Sequence, residues 1–220
     1  MVCSCCHDFE KSAESSWVTR RLADRQFTVL EDDRFLISYP KSGNTWLRFL
    51  LANLMCPDGH QQVRLANLDQ HVPDVYRHTD EELLARDRPR FMKTHEYFDP
   101  RYRRLVYVAR DPRDVAVSYH HHLIKVGTLE EGTAFDRFME GFLNAEFHAR
   151  FATWGEHVGS WLGTRRDDKG FLLVRYEDMV DDTVGQLRPI EAAWGTGWNS
   201  SDTPTESPRT HRLSRRKVSS

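Results

Sequence analysis

Residues 36–46 read Leu-Ile-Ser-Tyr-Pro-Lys-Ser-Gly-Asn-Thr-Trp, and the fold follows from how this stretch changes character. Phe35, Leu36 and Ile37 form a short apolar run that Tyr39-Pro40 interrupts. A loop of small residues follows, with one lysine and one glycine. From Thr45 to Leu54 apolar residues recur at helical spacing. Strand, glycine-containing loop and helix N-terminus, in that order, are how α/β proteins hold a phosphate. The unpaired N–H groups of the first helical turn and the positive end of the helix dipole face the anion. Lys41 adds a full charge on a flexible stem. The expectation is a P-loop-like loop that binds a phosphorylated ligand.

The pattern continues outward from this unit. Phe91-Met92-Lys93-Thr94-His95 reads as a short strand ending in polar groups, Arg104–Arg110 as a buried strand, and Gly170–Tyr176 as a third strong strand. Asp111-Pro112-Arg113-Asp114 is a turn, because proline cannot continue a strand and can open a helix. Helices are predicted over Ser16–Phe27, Val115–Leu123, Phe135–Leu162 with breaks, and Asp182–Trp194. Residues 57–90 read as loops and short helices. Strands alternating with helices predict a single α/β domain with a central parallel sheet flanked by helices. It is expected over residues 34–194, after an N-terminal segment 1–33 and before a low-complexity tail, 195–220, whose Ser, Thr, Pro and Arg content predicts disorder.

Composition bounds the function. The chain has 220 residues, 39 % hydrophobic and 29 % charged, as a globular domain has. The 31 basic and 33 acidic residues leave a net charge of −2, which argues against a nucleic-acid binder. Arg101, Arg103, Arg104, Arg110 and Arg113 are locally dense, as suits a small polyanion. No stretch has membrane-span length and no secretory signal is evident, so a cytoplasmic location is expected. The four cysteines fit a reducing compartment. Cys3, Cys5, Cys6 and His7 do not have the spacing of a zinc pair. His120, His121 and His122 point in different directions on a helix and cannot share one metal. No metal site is expected.

The loop lysine precedes the glycine, unlike the Gly-x-x-x-x-Gly-Lys-Ser/Thr order of an ATP-binding loop, which weakens a kinase reading. Tyr39-Pro40-Lys41-Ser42-Gly43-Asn44-Thr45-Trp46 instead resembles the 5′-phosphosulfate loop of the sulfotransferases that use 3′-phosphoadenosine 5′-phosphosulfate (PAPS). Val106–Tyr119 resembles the family's 3′-phosphate segment. Lys93-Thr94-His95 resembles the strand end bearing its catalytic histidine, and Arg175-Tyr176-Glu177-Asp178-Met179 its adenine-side segment. The four matches occur in family order.

The resemblance implies sulfuryl transfer from PAPS to a hydroxyl or amine of a small-molecule or glycosylated acceptor, leaving adenosine 3′,5′-bisphosphate. It implies that Ser42, Gly43, Asn44 and Thr45 cradle the 5′-phosphate through backbone N–H groups and the Thr45 hydroxyl. Lys41 then stabilises charge growing on the leaving phosphate, with no requirement for a metal. His95 is the general base, and Lys93 assists at the sulfuryl oxygens. Arg110 and Ser118 bind the 3′-phosphate, with Arg110 giving a forked pair of bonds. Trp46 and Tyr176 offer rings to the adenine. Arg113 and Asp114 shape the turn.

Two family features are not found. The C-terminal Arg-Lys-Gly segment that closes over the cofactor has only a fragmentary echo in Arg215-Arg216-Lys217, so a truncated or divergent C-terminus is expected. The Lys-x-x-x-Thr-Val-x-x-x-Glu dimerisation pattern is also absent. A relative that binds nucleotide without catalysis is therefore the alternative to an enzyme.

Overall fold

The computed structural model describes residues 26–56, 62–147 and 149–195. Four strands form one sheet: β1 (Arg34–Ser38), β2 (Phe91–Thr94), β3 (Arg104–Ala109) and β4 (Phe171–Arg175). Their order is β2-β1-β3-β4 and every neighbouring pair is parallel. Arg34 lies level with both Phe91 and Arg104, so the strands start together and their C-terminal ends share one edge. The chain runs from β1 to β2 on one side, then returns to β3 on the other side of β1. That reversal is a topological switch point, and it opens a crevice at the C-terminal ends of β1 and β3.

The helices are α1 (Asn44–Leu54), α2 (Leu68–His71), α3 (Asp80–Leu84), α4 (Pro112–Lys125), α5 (Phe135–Leu143), α6 (Trp154–Arg165), α7 (Tyr176–Asp181) and α8 (Thr183–Trp194). Strand alternation sends Leu36, Val106 and Val108 to one face, against Leu47 and Leu51 of α1 and Ile190 of α8. Phe35, Ile37, Leu105 and Tyr107 face the other way, against Trp161 of α6. Covered on both faces, β3 is apolar at every position from Leu105 to Ala109.

The predicted turn at 111–114 is the start of α4. The Asp111 carboxylate accepts from the Arg113 amide and Pro112 supplies the first helical residue. The predicted helical stretch 135–162 divides into α5, a 3₁₀ turn (Ala149–Phe151) and α6. Ala145 and Ala152 have φ of 57° and 59°, which no helix continues through. A Thr153–Glu156 capping box then opens α6. Of the helix predicted over Ser16–Phe27, residues 16–25 lie outside the described residues, and Gln26 and Phe27 are not helical. The cysteines at 3, 5 and 6 and the tail from 196 onward also lie outside them. Among the described residues, no helix is long and apolar enough to cross a membrane.

A buried ion pair anchors the start of the sheet. Arg90 donates to both Asp33 carboxylate oxygens, at 2.8 and 2.5 Å, with the side chains 1 % and 0 % exposed. Arg90 also donates to the Thr28 carbonyl at 2.8 Å, and the Leu30 amide donates to Asp33. Truncating one member strands the other charge in the core, at about 3–5 kcal/mol. Asp33→Ala is therefore expected to lower the denaturation midpoint steeply. Asp32→Ala, which removes an exposed pair with Arg88, should leave it near wild type. Urea titration of the two variants checks this.

Candidate active site

The loop after β1 is curled by two left-handed residues, Lys41 (φ 67°) and Gly43 (φ 94°). The Trp46 and Leu47 amides turn back to the Gly43 carbonyl at 3.0 and 3.2 Å, and the Ser42 amide to the Tyr39 carbonyl at 3.3 Å. Among the described residues the Gly43, Asn44 and Thr45 amides meet no main-chain carbonyl, which leaves them to face a ligand. No side chain caps α1 and no acidic residue lies in its first turn, so its dipole is uncompensated.

Three strand ends converge here. Arg110, just past β3, places its guanidinium 4.2 Å from the ring centre of Tyr176, just past β4, and donates to the Lys41 carbonyl at 3.3 Å. Tyr176 packs against Gly43 so closely that a Cβ there would lie 2.3 Å from Tyr176 Cδ2. Trp46 meets the same ring edge-on, centroids 5.6 Å apart. The Asp111 amide donates to Glu177 at 2.9 Å and pins the end of β3 to the start of α7.

The electrostatics call for an anion. Burial first, then the charges of Lys125 and Arg110, hold the Lys41 ammonium below its usual pKa. Asp114, 3.9 Å from Arg110, is a nearby carboxylate and is itself well exposed. Ser42 Oγ, Asn44 Oδ1 and Arg110 Nε are buried with no hydrogen-bond partner among the described residues. Crowded cations, orphaned polar atoms and free amides together fit a phosphate-bearing ligand.

His95 stands one residue past the end of β2. Its Nδ1 is 2.7 Å from the Ser38 carbonyl. A carbonyl only accepts, so Nδ1 carries the proton and Nε2 of the neutral ring keeps its lone pair. The His95 amide donates to the Tyr76 hydroxyl at 3.1 Å. Ser38 also links the two halves of the site, because Asn44 Nδ2 donates to its hydroxyl at 3.1 Å.

The structure thus brings together Lys41, Ser42, Gly43, Asn44, Thr45, Trp46, Arg110 and Tyr176, with His95 tied to the same strand end. Ser118 is half-buried on α4 and shares no hydrogen bond with Arg110 among the described residues. Lys93 is engaged elsewhere. Its buried ammonium is 2.9 Å from Asp74 Oδ2 and 5.3 Å from the Tyr76 ring centre. The Asp74 pair would have to open before Lys93 acted on a transferred group, which the sequence does not disclose.

Four participants escaped the sequence reading: Ser38, Tyr76, His122 and Lys125. His122 is held below its usual pKa by burial, then by the charges of Lys41 and Lys125. A signal for the last two exists, since Ser118, His122 and Lys125 recur on one face of α4. Ser38 acts through its carbonyl and Tyr76 through the fold, and neither leaves a sequence signature. Among the described residues, no group of three His, Cys, Asp or Glu side chains stands ready to hold a metal ion. A cavity of ≈ 520 Å³ opens near the strand starts, by Arg34, Phe91 and Gly195. It lacks the strand C-termini and free helix amides that mark the chemistry.

Comparison with known proteins identifies the family. The profile of the sulfotransferase domain matches residues 31–197, and the chain belongs to that family. It is 28 % identical over 177 residues to Sulfotransferase 2B1 of Mus musculus, a match covering 77 % of this chain and 52 % of that protein. It is 30 % identical over 195 residues to the amine sulfotransferase of Oryctolagus cuniculus, covering 84 % and 62 %. The chain therefore spans about half to three fifths of the length of these curated relatives. The crystal structure of mouse sulfotransferase SULT7A1 complexed with PAP superposes with a TM-score of 0.62 at 28 % identity, over 85 % of this chain and 66 % of that one.

Gly43 and Gly132 have nearly the same φ, 94° and 91°, but an added Cβ at Gly132 meets nothing within 4 Å. Gly43→Ala is expected to lower stability by more than Gly132→Ala, whose cost is backbone strain alone, about 1–3 kcal/mol. Adding Tyr176→Ala to Gly43→Ala should recover the difference. A double-mutant cycle by chemical denaturation measures it.

Proposed function

We propose that residues 34–194 form a PAPS-dependent sulfotransferase domain that acts on a hydroxyl or amine of a small-molecule acceptor. The observation that carries this is the meeting of the Lys41 loop, Arg110 and Tyr176 at the switch point, with His95 held as its Nδ1–H tautomer from the same strand end.

PAPS, when bound, supplies a sulfuryl group activated by its phosphate leaving group. The Gly43, Asn44 and Thr45 amides, with the Ser42 and Thr45 hydroxyls, would hold the 5′-phosphate. Trp46 and Tyr176 offer rings to the adenine, and Arg110 and Ser118 would take the 3′-phosphate. Lys41 is placed to offset charge that grows as the sulfur–oxygen bond breaks. Its half-buried setting strengthens that effect, because partial exclusion of water weakens screening. His95 takes the acceptor's proton on Nε2, and the Ser38 carbonyl stabilises the resulting imidazolium through Nδ1–H.

Transfer of radiolabelled sulfate from PAPS across a panel of phenols, alcohols and amines tests the activity. Lys41→Ala is expected to lower turnover by about 10²–10³-fold at saturating PAPS, the scale of one lost electrostatic stabiliser. His95→Ala should abolish transfer yet keep the thermal shift produced by adenosine 3′,5′-bisphosphate. Loss of that shift in a folded His95→Ala variant would make His95 a nucleotide ligand instead. Arg110→Ala should weaken adenosine 3′,5′-bisphosphate by about 1.5–3 kcal/mol more than adenosine 5′-phosphate. Equal losses by calorimetry would remove Arg110 from the 3′-phosphate site. Binding without transfer to any acceptor would make the chain a nucleotide-binding relative.

A further inference from the structure

His95 lies beyond the sheet. The β1–β2 ladder pairs residues as far as Thr94, one residue short of the base. A side chain from the opposite layer holds the His95 carbonyl. His157, in the first turn of α6, is 0 % exposed and lies with Nε2 3.0 Å from the His95 carbonyl and Nδ1 2.8 Å from the Tyr107 hydroxyl.

The tautomer follows from the partners. A carbonyl only accepts, so Nε2 carries the proton, and the Nδ1 lone pair of the neutral ring accepts from Tyr107. The hydrogen bonds then run one way, from the Tyr107 hydroxyl to His157 and from His157 to the His95 carbonyl. A protonated ring would turn the Tyr107 bond around. Burial forbids that by holding the His157 pKa down to about 4. The phenol rings facing the imidazole are those of Tyr39, Tyr97 and Tyr107, with ring centres at 5.6, 6.2 and 5.8 Å.

The grip extends over two residues. One turn along α6, Trp161 Nε1 donates to the Glu96 carbonyl at 3.2 Å, so positions i and i+4 of one helix hold consecutive carbonyls. The Thr153–Glu156 capping box fixes the turn that presents His157. On the other side, the His95 amide is held by Tyr76. Side chains thus hold His95 through both its N–H and its C=O.

We propose that His157 is a positioning residue for sulfuryl transfer: by holding the His95 carbonyl it fixes the His95 ring on the Ser38 carbonyl and keeps the lone pair on Nε2. This rests on the reading of His95 as the base. His157 does not touch the reacting atoms. A peptide free to rotate would let His95 leave Ser38, mix its tautomers and place the proton on the atom that must accept one. Displacements of about 1 Å at a reacting group cost on the order of 10²-fold in rate.

The test reads His95 directly, in protein without nucleotide, by long-range ¹H–¹⁵N correlation of the histidine rings, with His95→Ala assigning the signals. Wild type is expected to show His95 as a single Nδ1–H tautomer. His157→Phe keeps bulk and loses the donor. It should convert His95 to a tautomer mixture and lower kcat by about 10²-fold, with the thermal shift from adenosine 3′,5′-bisphosphate unchanged. His157→Gln retains an N–H donor and should restore the tautomer and most of the turnover. If His157→Phe does not fold, Tyr107→Phe frees His157 to change tautomer and should move the His95 signals in the same direction. A folded His157→Phe or Tyr107→Phe protein with unaltered His95 signals overturns the proposal, as do equal kcat losses in the Phe and Gln variants. Altered His95 signals in a protein whose wild type transfers nothing would uphold the positioning role and overturn the proposed activity.

Discussion

The ring of Tyr176 occupies the space that a side chain at position 43 would fill, and the site depends on that contact. The close approach fixes where the phosphate loop sits relative to the end of β4. The Arg110 guanidinium lies over the same ring and reaches the Lys41 carbonyl, which brings in the end of β3. Three loops that would otherwise move independently become one surface, with their N–H groups and cations facing one crevice. The switch point between β1 and β3 makes the crevice available, and the Gly43–Tyr176 contact gives it its shape.

A second set of contacts places the base. Ser38, the last residue of β1, offers its carbonyl to His95 and its hydroxyl to Asn44, so one strand end serves both the phosphate loop and the histidine. Around it lies a layer of aromatic and imidazole groups, the buried Tyr107, His157 and Trp161 and the half-buried Tyr76. Tyr76, His157 and Trp161 satisfy main-chain polar groups that run past the end of the sheet, and Tyr107 bonds the His157 ring. Buried polar groups of this kind are costly unless fully paired, which ties the placement of His95 to the integrity of the core.

Much of this was legible in the sequence, for identifiable reasons. The central strands are buried on both faces and read as continuous apolar runs. Pro112 and Gly43 mark backbone geometries that few other residues adopt. The phosphate loop, Arg110 and Tyr176 are local motifs at strand ends, where the sheet itself brings them together. What was hidden depends on contacts distant in sequence. Lys93 reads as a cation at a strand end, but Asp74, nineteen residues earlier, claims its charge. His157 carries no sequence signal of its place and is fully buried against residues 107 and 95. The breaks expected in the helical stretch after 135 could not be located from the sequence, because alanines at 145 and 152 give no warning of positive φ.

Calorimetric titration with adenosine 3′,5′-bisphosphate, in competition with ATP and Mg²⁺, tests the central claim most directly. The crevice formed by the Lys41 loop, Arg110 and Tyr176 is predicted to bind the bisphosphate without added Mg²⁺. Binding should weaken as salt rises, and ATP with Mg²⁺ should not displace the bisphosphate. Mg²⁺-dependent binding of ATP in preference to the bisphosphate, or no binding of the bisphosphate to the folded protein, would contradict it.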